Sequence, residues 1–474
     1  MKRKLERVRV VLMVCMLCWV AACAHYPANS ALAPSDLGKG YRYPAPAETA
    51  GQDGLFIALA FSGGGTRAAA LSYGVLKKLA ATPVPGRGGQ SLLDEVDVIS
   101  SVSGGSFPAA YYGLFKERIF QDFESRFLYR DVEGELFGQV LKPWNWFRLA
   151  SPYFSRIDLA AELYDETLFD HKTFQALVDG GRHPFIAING TNMSTGSRFT
   201  FTQEEFDLLG SDLSSYKVAR AVAASSAFPF LLSPITLVNR PNVEGYALPT
   251  EIRLGLEDAE VNERRYLWAK ERATYYEDKK DHPYLHLMDG GLADNLGLRY
   301  IADGYLRTTG FLAQRKGKIK HLVVICVNAK TEPQENLDRR ESPPGLKDVA
   351  YKTATVSMDN YSFETMQITR DLLLASEKAR QDVEACQRMV DRFCGAGYMV
   401  PPLAYEFRVY VIEINFLRVR DPQRREKLLS LPTTFSLKRD DVAELIEVGG
   451  ELLEQAQEFH ELLQKLGSEQ KSSP

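Results

Sequence analysis

The chain has 474 residues, 45% of them hydrophobic and 25% charged, with 57 basic against 61 acidic residues and a formal charge of −4. That length accommodates one large domain or a domain with appendages, and the mildly acidic balance argues against nucleic acid as a partner. The six cysteines include no pair or cluster with zinc-ligand spacing, which argues against a metal site of that kind.

In chain order, Lys2, Arg3, Lys4, Arg7 and Arg9 precede the apolar run Val10 to Val20, which is too short to span a bilayer comfortably. The pattern reads as an export signal over residues 1–22. It ends in Val20-Ala21-Ala22-Cys23, which resembles the lipobox of bacterial lipoproteins. The resemblance implies cleavage before Cys23 and acylation there, and several fatty chains hold a protein at a bilayer where one gives only marginal binding. Ala24 after the cysteine implies, by resemblance to enterobacterial sorting, the outer membrane of a bacterial envelope, facing the periplasm. An ordinary cleaved signal with a chance cysteine is the other reading. Loss of residues 1–22 removes five basic residues and Glu6, so the formal charge becomes −8. Residues 23–54, rich in Ala, Pro and Gly, read as a flexible tether.

Beyond the tether, "LFIALAFS" (55–62), "VDVISSV" (96–102), "PFIAING", "LHLMDGG", "KHLVVICVNA" and "YEFRVYVIEINF" are apolar β-type runs that alternate with helical patterns. Strands apolar on both faces and separated by helices argue for an α/β fold with a mostly parallel, covered sheet. Two stretches read as insertions. Residues 115–170 contain "FGQVLKPWNWFRLASPYF", whose aromatics suit an apolar groove, a lid that meets a membrane, or the core of an inserted subdomain. Residues 239–280 end in a charged, solvated helix. Residues 341–474 form a C-terminal extension packed on the body at 55–340, and its last helical stretch carries an interruption at Gly449-Gly450. Cys326 lies in a buried strand, and Cys386 and Cys394 bracket a short charged segment where an exported chain would form a disulfide.

Three constellations carry chemistry. In "FSGGGTRAAA" (61–70) a strand runs into Gly63, Gly64 and Gly65 and then a helix, leaving unpaired N–H groups that converge on one place and bind an anion or a transient oxyanion. Arg67 either braces the loop or adds charge. Gly63, Gly65 and Ala68 also fit a dinucleotide fingerprint, but the acidic residue it needs is not well placed, and no P-loop Lys-Ser/Thr follows.

In "ISSVSGGSFPAAYYG" (99–113), Ser101, Ser103 and Gly105 make a small-x-Ser-x-Gly pattern between a strand and a helix. A serine on so sharp a turn needs small neighbours two residues away on each side, so Ser103 is the candidate nucleophile and Gly104 an N–H donor beside it. Ser101, standing where glycine is usual, is a rival. In "LHLMDGGLADNLG" (285–297), Asp289 ends an apolar strand, on the edge where open parallel sheets place their sites. With its pKa raised by burial it accepts a serine proton directly. Asp294 and Asn295 read as loop or helix-cap residues. His286 lies three residues before Asp289 and so faces the other side of the strand, His282 lies in a charged loop, and His183, His321 and His460 fall outside every motif, so a Ser-Asp dyad fits better than a triad.

Together these blocks resemble the patatin-like phospholipase family, with its G-G-G-x-R loop, G-x-S-x-G elbow and D-G-G/A motif. "ARAVAASSAFPFLLSPI" (219–235) is similar to the family's A-S-S-A-F-P segment. Ser101 and Ala68 depart from the family's glycines. The resemblance covers roughly 55–300 and implies a three-layer α/β/α sandwich. It also implies metal-independent and cofactor-independent hydrolysis of acyl esters in phospholipids or related lipids, with catalytic Ser103 and Asp289 and an oxyanion site of Gly63, Gly64, Gly65, Arg67 and Gly104. A lipoprotein that keeps this fold but only binds a lipid or partner is the alternative. Redox chemistry on a dinucleotide is disfavoured by the export signal and the serine-bearing turn.

Overall fold

The computed structural model describes residues 24–44, 54–85, 87–229, 231–307, 310–315, 317–332, 341–395, 397–400 and 407–471. The expected signal and Cys23 lie outside them. Eight strands form the central sheet. They are β1 (Leu55–Phe61), β2 (Val96–Val102), β3 (Phe185–Asn192), β4 (Arg198–Thr200), β5 (Ile235–Val238), β6 (Tyr284–Asp289), β7 (His321–Asn328) and β8 (Arg408–Asn415). Their order is β8-β7-β1-β2-β3-β6-β5, with β4 pairing on β3. From β8 to β3 every pairing is parallel, while β6, β5 and β4 join antiparallel.

Every residue of β1, β2 and β3 is buried. Because successive side chains point to opposite faces, helices must cover both sides of the sheet. The expected α/β sandwich with a mostly parallel sheet is the fold that forms. The central helices follow the strands that carry the motifs: α1 (Gly65–Ala81) leaves β1 and α2 (Ser106–Phe115) follows β2. The aromatic insertion contains α3 (Val132–Leu141), α4 (Pro143–Leu149) and α5 (Arg156–Thr167). Next come α6 (Val218–Ser225), α7 (Glu263–Glu277), α8 (Gly291–Asp294) and α9 (Leu298–Leu306). The C-terminal part holds α10 (Leu346–Phe393), α11 (Arg439–Gln455) and α12 (Gln457–Lys471).

Four local expectations need correction. Residues 24–44 are packed on the body: Ser30–Ala31 pairs with Ser211–Asp212, and Asn29 is buried against Ser211 and Val238. Tyr41 is fully buried, its ring 4.6 Å from that of Phe185 and its hydroxyl bonded to the Ile186 backbone. Scattered aromatic anchors outweigh an Ala/Pro-rich composition here.

Gly449 and Gly450 do not interrupt a helix; they lie inside α11, and a Cβ on Gly449 would collide with Leu71 O of α1, as one on Gly74 would with Ile446 O. The glycines let two helix backbones touch, and the break falls at Ala456 instead. Cys386 and Cys394 are free thiols. Cys386 lies in α10 and Cys394 caps it, and eight residues along a helix separate them by about 12 Å, too far for a disulfide. Finally, α7 is only partly solvated, since Ala269, Arg272, Ala273 and Tyr275 are buried.

Candidate active site

The nucleophile elbow is visible in the backbone. β2 ends at Val102, and Ser103 takes φ +49°, a left-handed conformation that costs a non-glycine residue about 1–2 kcal/mol. Such strain is held by its surroundings: Ser103 N–H donates to Ser225 Oγ at 2.9 Å, and Ser225 Oγ donates in turn to Asn189 O at 2.6 Å. A Cβ on Gly105 would stand 2.7 Å from Phe61 Cβ and from Ser62 O, which is why glycine follows two residues on. The rival Ser101 is inside β2, fully buried, its hydroxyl directed at Ala187 O.

Asp289 ends β6 with 1% exposure and meets the serine: Ser103 Oγ donates to Asp289 Oδ2 at 2.8 Å, while Gly291 N–H donates to Oδ1 at 2.8 Å. Burial pushes the Asp289 carboxyl up from 3.8 to about 6, and the bonds from Gly291 and Ser103 partly offset that rise. Its backbone is fixed from the same segment that grips the elbow. Asp289 N–H donates to Ala227 O and Gly290 N–H to Ser225 O, both at 3.0 Å, and Thr191 Oγ1 donates to Asp289 O at 2.7 Å. Ser225 therefore bonds to Ser103 and to Gly290, the residue that follows Asp289.

The glycine loop reaches the same place. Gly64 and Gly65 have φ +138° and +60°, conformations open to glycine. They occupy the N-cap and first position of α1, where N–H groups have no partner inside the helix. A Cβ on Gly104 would collide with Gly65 O, so elbow and loop are in backbone contact. Gly63 does not join them as a donor, because its N–H is engaged by Asn295 O at 3.0 Å. Arg67 is a brace: its nitrogens donate to Ala329 O, Leu431 O and Thr433 Oγ1, each at 2.9 Å, tying the loop to the C-terminal segment. Asp294 behaves as a helix cap, its Oδ2 accepting from Arg299 N. Among the described residues no histidine bonds to Ser103 or Asp289. His286 pairs with Thr236, His183 with Asp94 O and His321 with Glu469.

The sequence model of the patatin-like phospholipase family matches residues 59–302, just over half of the chain. The chain belongs to the patatin-like phospholipase family. No curated protein matches it. Among solved structures it is similar to human GIVD cytosolic phospholipase A2, at 14% identity and a TM-score of 0.42, over 88% of this chain and 63% of that one. It is also similar to VipD from Legionella pneumophila, at 12% identity and a TM-score of 0.28, over 87% and 67%. The chain thus spans less than two thirds of the human protein's length.

Three partners of this patatin-like site lie beyond sequence reasoning. Ser225 sits in the A-S-S-A-F-P segment, which the resemblance marks without assigning it a part. Thr434 is further hidden: its carbonyl accepts from Thr66 N at 2.9 Å and lies against Gly65, so a residue far down the chain walls the glycine loop. Nothing local to residues 431–434 announces that contact. Met358 of α10 also reaches the site, its Cε crowding the place where a Cβ on Gly291 would stand.

Proposed function

We propose that the protein is a membrane-tethered serine hydrolase of lipid acyl esters, of phospholipase A or lysophospholipase type, working through a Ser103-Asp289 dyad. One observation carries this reading: the strained Ser103 donates its hydroxyl, at 2.8 Å, to a buried carboxyl whose pKa is raised to about 6, so the base is ionised yet basic near neutrality. Ser103 Oγ attacks the ester carbonyl carbon as its proton passes to Asp289 Oδ2. The carbonyl oxygen becomes an oxyanion facing the N–H groups of Gly64, Gly65 and Gly104. Collapse expels the lipid alcohol, which takes the proton from Asp289 and leaves an acyl ester on Ser103. Water then attacks that ester, giving its proton to Asp289, and release of the fatty acid returns the proton to Ser103.

Fatty acid release from phospholipid vesicles tests this, comparing wild type with Ser103→Ala and Asp289→Asn at matched far-UV circular dichroism. Loss in both variants supports the dyad; activity surviving in Ser103→Ala refutes it, and absence of release by wild type across several lipids moves the reading to a binding lipoprotein. The membrane tether is an acylated Cys23 facing the periplasm at the outer membrane, supported by the lipobox resemblance. The retention of Cys23→Ala in membrane fractions would overturn it.

A further inference from the structure

The aromatic insertion divides in two: Phe123, Phe127, Phe154, Tyr164 and Phe169 are buried, as an inserted core requires, but the hairpin of α3 and α4 is not. Phe137, Leu141, Trp144 and Trp146 are 64%, 55%, 61% and 57% exposed on the hairpin of α3 and α4, and Tyr153 beyond it is 54% exposed. Phe137 and Leu141 share a face of α3, and Trp144 and Trp146 flank the buried Asn145 on α4; large apolar side chains left exposed together on one hairpin mark an interaction site. Indole rings with a cation alongside suit the headgroup level of a bilayer, and Lys142 Nζ lies over the Trp144 ring at 5.7 Å. Of the neighbouring carboxylates, Glu135 is paired with Arg130 and Glu162 with Arg148, while Asp131 and Glu133 at the start of α3 bond to Gly134 N and Thr434 Oγ1.

Two independent connections fix what this face does. The first is the N-terminal segment: Ala24 O accepts from Ser151 Oγ at 2.6 Å, Tyr26 N–H donates to Tyr153 O at 2.7 Å, and the His25 ring stacks on Tyr153 at 5.1 Å. The second is the active site: Glu133, in the first turn of α3, bonds to Thr434 Oγ1, and Thr434 O lies against Gly65 of the oxyanion loop. The exposed face therefore lies between the start of the described chain and the catalytic loop.

We infer that the α3–α4 face is a docking surface for a phospholipid bilayer, and that the body is clamped to the membrane at residues 24–26 in one orientation instead of swinging on a leash. This rests on the acylated Cys23 proposed above, since the residue that carries the lipid is the one before Ala24. The lipid and the aromatic face then meet the bilayer together and present the oxyanion loop at its surface.

Tryptophan depth tests it. The full chain with Trp19→Phe and Trp268→Phe leaves Trp144 and Trp146 as reporters, mixed with phosphatidylethanolamine/phosphatidylglycerol vesicles that carry nitroxide lipids. Expected is a blue-shifted emission quenched at least twofold, more by shallow than by deep nitroxides. A chain that pellets with the vesicles while its tryptophans stay unquenched overturns the docking face and leaves the lipid anchor standing. An unmodified Cys23 by intact mass overturns the anchor and with it the joint clamp. A second variant, Trp144→Ser with Trp146→Ser, should lower the ratio of vesicle to short-chain-ester hydrolysis about tenfold, and an unchanged ratio refutes the inference.

Discussion

Replacing Asp289 by Asn separates what the carboxylate does for chemistry from what it costs the fold. In the native state this carboxyl titrates at about 6 instead of 3.8, chiefly because it is buried. A carboxyl raised by folding keeps, between about pH 4 and 6, a proton that the unfolded chain has already released, so its effect on stability worsens as pH climbs through that window. At pH 7 the difference amounts to about 3 kcal/mol against folding. Asn is neutral, nearly isosteric, and can still accept from Gly291 N–H while its amide donates to Ser103 Oγ. Urea unfolding should therefore show Asp289→Asn about 2–3 kcal/mol more stable than wild type at pH 7, with the gap closing toward pH 4. Ester hydrolysis by the variant should fall at least about a thousand-fold, while wild-type kcat/KM rises with pH around a midpoint near 6. A variant less stable than wild type at pH 7, or a stability gap that does not change with pH, would refute the claim that burial sets this group's ionisation.

Ser225→Ala leaves the buried Ser103 N–H without its acceptor, and should cost about 1–3 kcal/mol and lower kcat while KM holds; a stability loss with kcat intact would make Ser225 merely structural. Gly65→Ala places a Cβ against Thr434 O at φ +60°, so hydrolysis should fall about a hundred-fold or more as the oxyanion donors shift, and wild-type rates would show that the loop has room. Gly449→Ala forces α1 and α11 apart at Leu71 O and should lower stability by about 1–3 kcal/mol in urea unfolding; a neutral result would mean that the contact relaxes freely.

The candidate pair is legible because its signals are local. Ser103 stands between a β-type run and a helix with small residues around it, and Asp289 ends an apolar strand, so the turn chemistry and the strand period place both. The spacing favours Ser103 but leaves Ser101 a rival, and only the burial of Ser101 inside β2 sets it aside. The same local reasoning failed where contacts between distant segments decide. Gly449 reads as a helix breaker from propensity, yet it serves a helix crossing. Arg67 reads equally as a charge or as a brace until Ala329, Leu431 and Thr433 are seen around it. Gly63 looks like its two neighbours in the loop, but the carbonyl of Asn295, just past α8, takes its N–H. The tether reading took composition as a guide and missed that a few aromatic side chains suffice to seat a segment.

The carbonyl of Thr434 against the glycine loop has a consequence for the order in which the proposed site is assembled. A chain still being made already contains its serine, its aspartate and its three glycines, but the wall that shapes the loop arrives only with residues 431–434, after most of the polypeptide exists. On the proposed mechanism, a chain that lacks residues 431–434 holds Ser103 and Asp289 without this wall of the glycine loop.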